Sequence, residues 1–70
     1  MKMTDKNSIE KLKVLLPHWI EHNHSHENEF RKWSAIAKEK NLNDIAALID
    51  KAIASMNEAD RALEDALKKI

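Results

Sequence analysis

Four histidines fall within nine residues: His18, His22, His24 and His26, in the run HWIEHNHSH. Imidazole titrates near neutral pH and is the commonest protein ligand for transition metals. His18, His22 and His26 recur at every fourth position, so on a helix they stand on one side, a turn apart. Glu29 follows His26 at a spacing of three and prolongs that line. Two histidines at i and i+4 can clamp one metal ion, as they do in the helical HExxH motif. Here the run is HWIEH, and Glu21 does not stand where the glutamate of that motif must, so a metalloprotease is not indicated. Glu21 and His24 have the E-x-x-H spacing of di-iron bundles, whose ligands must all project inward. The chain has no matching second E-x-x-H, and the apolar stripe described below turns Glu21 outward and His24 to a flank. Met56, opposite His26 in that arrangement, offers a His–Met pair of the kind that holds haem. The alanines around it are ordinary helix formers and do not argue for a porphyrin cavity.

Composition narrows what can position these groups. The chain has 70 residues, no glycine, one proline and no cysteine. A chain of this length has room for one domain and is marginally stable unless a metal, a disulfide or a partner helps it. Without cysteine, disulfides and thiolate metal sites drop out. Without glycine, tight hairpin turns and phosphate-cradling loops lose the residue they depend on. Twelve basic and twelve acidic residues cancel, which removes the field that drives nonspecific nucleic-acid binding. No uncharged run approaches the ~20 residues of a membrane span. The opening MKMTDKNSIEKL carries charges where a signal peptide needs an apolar run. A cytoplasmic protein is expected.

Apolar residues recur in alternating steps of three and four. The first series is Ile9, Leu12, Leu16, Trp19, Asn23, His26, Phe30, Trp33 and Ala37; the second is Leu42, Ile45, Ile49, Ala52, Met56, Ala59, Leu63, Ala66 and Ile70. Such spacing belongs to a helix that buries one stripe. Between the series, Asn41 can adopt the left-handed conformation that ends a helix, and Asn43 or Asp44 can cap the next one. Thr4 or Ser8 can cap the first. The expected elements are a helix over about 5–40, a turn over about 41–43 and a helix over about 43–69, all in one domain spanning 1–70. Pro17 predicts a kink in the first helix, the alternative being a separate helix at 5–15 that folds back. Both apolar faces are wider than a two-helix seam needs, so two hairpins are expected to form a four-helix bundle as a homodimer. The charged tail, with pairs such as Arg61–Asp65 and Glu64–Lys68, reads as a solvated face.

Folding the chain about residue 41 sets His26 near Met56 and Asn23 near Ala59 and Asp60; Asp60 is a carboxylate inside the apolar stripe that something must compensate, His22 or His26 directly or through a metal. One reading is a metal site of His22, His26 and Asp60, with His18 and Glu29 as further ligands. Imidazoles with a carboxylate suit zinc, nickel, cobalt or copper(II). The other reading is metal-free: Asn23, His26 and Asp60 form a buried polar layer that fixes register and oligomeric state. Trp19 and Trp33 then read as core anchors.

Residues Leu15 to Asn23, followed by His26, Phe30 and Trp33, carry the pattern L-P-H-W-x-x-H-N-x-x-H. Over residues 12–37 the chain resembles a small histidine-rich helical domain of unknown function from anaerobic bacteria and archaea, found in places beside nickel or cobalt handling genes. The resemblance implies that His18, His22, Asn23 and His26 act together in metal handling, leaves His24 outside the pattern and implies no enzymatic activity. The expected function is therefore transition-metal sensing, storage or delivery by an all-α helical hairpin, with a metal-free dimerisation or interaction module as the alternative. Neither reading is an enzyme, and neither calls for nucleic acid or a membrane. A partner protein fits both.

Overall fold

The computed structural model describes residues 6–70, and of Lys6 the backbone alone. It is an antiparallel hairpin of two helices, α1 (Lys6–Glu39) and α2 (Asn43–Lys69), with no strand among the described residues. No helix among them is long and apolar enough to cross a membrane. Helix α1 runs without a break through Pro17, so residues 6–15 do not form a separate element folded back on the rest. Ser8 lies inside α1 rather than at its cap, and Thr4 lies outside the described residues.

The turn is closed by backbone hydrogen bonds. Asn41 takes φ 64°, the left-handed conformation that a short polar side chain tolerates where glycine is absent. That reversal lets Leu42 N–H reach back to Ala37 O at 2.8 Å and Asn41 N–H to Lys38 O at 3.0 Å. Paired bonds of this kind satisfy the last carbonyls of a helix. Leu42 then starts α2, accepting from Ala46 N–H at 3.0 Å. The expected cap at Asn43 or Asp44 is thus displaced: the capping position is Leu42, with no side-chain bond. Leu42 takes this place because its amide is already committed to α1 and its carbonyl is free to open the next helix.

The seam is rotated from its expected position. The positions 16, 23, 30 and 37 of α1 do face α2, but between them the chain buries Ile20, Glu27 and Ser34 instead of Trp19, His26 and Trp33. On α2 the buried residues are Ala46, Ile53 and Asp60, not Ile45, Ala52 and Ala59. Each swap is one residue step, and because positions 16, 23, 30 and 37 keep their places the seam turns by about half of the 100° between neighbouring residues. The rotation sets Ser34, Ala37 and Ala46 between the helices, where small side chains allow close approach. It leaves Trp19 40% and Trp33 49% exposed. Among the described residues no large side chain is fully buried.

Contacts across the seam fix the register. Asn23 meets Asp60 and Ser34 meets Asp50. Antiparallel helices rise equally per residue, so these pairs set Ile70 opposite the Lys13–Val14 turn. The first turns of α1 therefore extend past the end of α2.

Two measurements test this account. The left-handed residue should matter more than any other in the turn: Asn41→Ala is expected to cost about 1 kcal/mol in urea unfolding, and Asn41→Gly nothing or less. Ser34 Oγ–H donates to Asp50 Oδ1 at 2.6 Å, and that bond, aided by Lys38 against a smaller cost of burial, holds Asp50 below the usual carboxylate range. A depressed carboxyl stabilises the fold above its unfolded value, 3.8, and loses that contribution as pH falls through its folded value. Ser34→Ala should therefore destabilise the fold at neutral pH, with the deficit shrinking at strongly acidic pH.

Candidate functional site

Asp60 lies at the centre of the seam, 3% exposed, beside Glu27 from α1, also 3% exposed. Both stand at positions where the heptad spacing demands an inward side chain, so burial is imposed on them by the helices. Asn23 Nδ2 donates to Asp60 Oδ1 at 2.9 Å. His24 Nε2 approaches Asp60 Oδ2 to 3.3 Å, an ion pair only when the ring is protonated, and Arg31 Nη2 stands 3.9 Å from Glu27 Oε1. Neither approach has hydrogen-bond alignment with the second oxygen of each acid. With both acids ionised, Glu27 Oε2 and Asp60 Oδ2 are buried with no hydrogen-bond donor.

Two carboxyls this close cannot both be charged without penalty. The hydrogen bond with Asp60 is the chief cause that raises Glu27 above its ordinary value, burial and the neighbouring negative charge adding to it. For Asp60 burial acts upward, but the hydrogen bonds with Glu27 and Asn23 and the nearby His24 outweigh it, so Asp60 is held low. The pair titrates as a unit in which a shared proton favours Glu27 over Asp60.

His24, Glu27 and Asp60 each place one potential ligand atom within 4.8 Å of the others, the one group of three such residues among the described residues. His24 and Glu27 are one helical turn apart on α1, and Asp60 comes from α2, so the group bridges the seam. It borders a shallow pocket lined by His24, Glu27, Asn28, Arg31 and Asn57.

The other residues singled out by spacing lie elsewhere. His18, His22 and His26 form an exposed ladder on α1, with ring centroids 6.2 Å apart for the first pair and 4.6 Å for the second. His26 continues the ladder to Phe30 at 6.2 Å. Glu29 accepts from Trp33 Nε1–H at 3.0 Å. Asp60 meets Asn23, as the folding about residue 41 anticipates, but its histidine neighbour is His24, not His22 or His26. His24 was assigned to a far flank because the stripe was drawn through the tryptophans. Glu27 escaped notice because a glutamate on a charged helix reads as solvated. The signal for both was Ile20, Ala46 and Ile53, which mark the flank that becomes the seam.

A family model described as a domain of unknown function (DUF8180) matches residues 12–70. Its start coincides with the point where α1 gains α2 as a neighbour. No curated protein and no solved structure matches the chain significantly.

The bond from Asn23 should be the stabilising contact of this layer. Asn23→Ala is expected to cost about 1–2 kcal/mol by chemical unfolding, the value of a hydrogen bond to a buried charged acceptor. Asn28→Ala, whose side chain accepts an exposed bond from Arg31, should stay within about 0.5 kcal/mol of the parent.

Proposed function

The chain belongs to the DUF8180 family, and from the face that its two helices leave uncovered we propose that it is an assembly module whose hairpins pair into a four-helix bundle. The carrying observation is where its large apolar residues lie. Leu12, Leu15, Trp19 and Trp33 of α1 and Ile45 and Leu48 of α2 are all exposed, Leu48 by 67%. Relative to the seam, each group lies about one residue step to the same side along its helix. Because the helices are antiparallel, equal offsets of this kind bring both groups to one side of the hairpin. The inter-helix contacts of His24 with Asp60 and of Lys38 with Asp50, and the Arg31–Glu27 pair within α1, occupy the opposite side. The hairpin is thus a single layer with one polar and one apolar face, and a helical domain needs two layers to enclose a core.

A second copy is the occupant that the chain's own chemistry supports. The formal net charge is zero, so two copies meet without net repulsion, and a face related to itself by a twofold axis covers Trp with Trp or Ile. His22 and His26 of the ladder lie toward the same face, between Trp19 and Trp33, which makes them part of the contact. Turns of α1 beyond the end of α2 supply further apolar surface, with Val14 and Leu15 in a groove there. This reading assigns no catalytic step.

Sedimentation equilibrium tests the assembly. The parent should have twice the 8.1 kDa chain mass at micromolar concentration. Trp33→Lys or Leu48→Lys should give monomers of reduced helicity, whereas Arg61→Glu and Glu64→Lys should change nothing. A parent that is folded and monomeric at 100-fold higher concentration would overturn the reading.

A further inference from the structure

We propose that His24, Glu27 and Asp60 form a binding site for one divalent transition cation of the zinc or cobalt type, built into the seam of each hairpin. Three observations point the same way. The first is the donor set: one imidazole and two carboxylates, which suits a borderline divalent ion and offers nothing to a soft one. The second is the pair of buried carboxylate oxygens, Glu27 Oε2 and Asp60 Oδ2, which no donor reaches other than a proton shared between the two acids. A cation bound to both oxygens can take the place of that proton, which the half-exposed His24 ring cannot.

The third is distance. The three ligand atoms lie within 4.8 Å of one another. Ligands at ordinary bond lengths of about 2.0–2.2 Å around a tetrahedral ion are about 3.3–3.6 Å apart. Side-chain rotation that draws the widest pair in by about 1–1.5 Å closes the set. The pocket beside it leaves room for water, and Asn57 of α2 stands at its edge, so the coordination number can be completed without moving either helix. Arg31 is the competitor. Its guanidinium is 3.9 Å from Glu27 and its side chain is half exposed, so it can swing into solvent when an ion enters.

The site is distinct from the ladder of His18, His22 and His26, and variants can separate the two. Titration of the full chain with Co²⁺, followed by its visible absorption and by calorimetry, should give one ion per chain, displaced by Zn²⁺, with a rise of several degrees in the thermal midpoint over the protein in EDTA. His24→Ala and Glu27→Gln should each weaken binding at least tenfold while remaining helical in EDTA. The double variant His22→Ala/His26→Ala should bind as the parent does. Arg31→Gln should bind severalfold more tightly, an effect that a merely structural role for the triad does not predict. If Glu27→Gln fails to fold, His24→Ala decides alone, since its side chain is 55% exposed and its loss leaves the seam intact. No saturable binding by the parent would overturn the proposal. So would binding that survives His24→Ala, or binding that vanishes in the His22→Ala/His26→Ala variant.

Discussion

Two helices share one seam, and what enters it determines everything left outside. Here the seam takes Ser34, Ala37 and Ala46 near the turn and the Asn23, Glu27 and Asp60 layer further along. Small side chains near the turn bring the backbones close, and closeness there dictates the rotation of both helices along their length. Once that rotation is set, Trp19 and Trp33 fall outside, and Glu27 and Asp60 fall inside whether or not burial suits them. The apolar face and the buried acids are two results of the same choice.

Much of this was legible in the sequence. Absence of glycine, steps of three and four, and Asn41 just after the lysines that end α1 define two helices and the turn, because helix formation and termination are local matters. Asp60 in the apolar stripe and Asn23 across from it were legible too, since antiparallel register follows from the turn. The rotation was not. Positions 16, 23, 30 and 37 belong to two alternative stripes, and the choice between 19, 26, 33 and 20, 27, 34 turns on how closely the helices approach, a property of the pair. Weighing residues by hydrophobicity favours the tryptophans, whereas the hairpin favours residues that fit. The histidines follow the same step: the in-line trio is exposed, and His24, out of line with it, stands 3.3 Å from Asp60.

Buried acids in so small a protein are costly relative to apolar residues of equal size. What they add is definition. A seam of alanine and isoleucine alone could slide by a heptad with little loss. Asn23 has one acceptor to find, and Asp60 has one pair of neighbours that satisfies it, so a slipped hairpin leaves several polar groups unmatched at once. Selectivity of register and concentration of charge thus come from the same three side chains.

Leu42 belongs to both helices, closing α1 through its amide and opening α2 through its carbonyl. A connection with no spare residue behaves as a phase lock. One inserted residue would turn α2 by about 100° against α1, carrying Asp60 out of the seam and presenting a different arc to any neighbour. The distant polar layer is therefore indexed from the turn, as the teeth of a key are indexed from its shoulder.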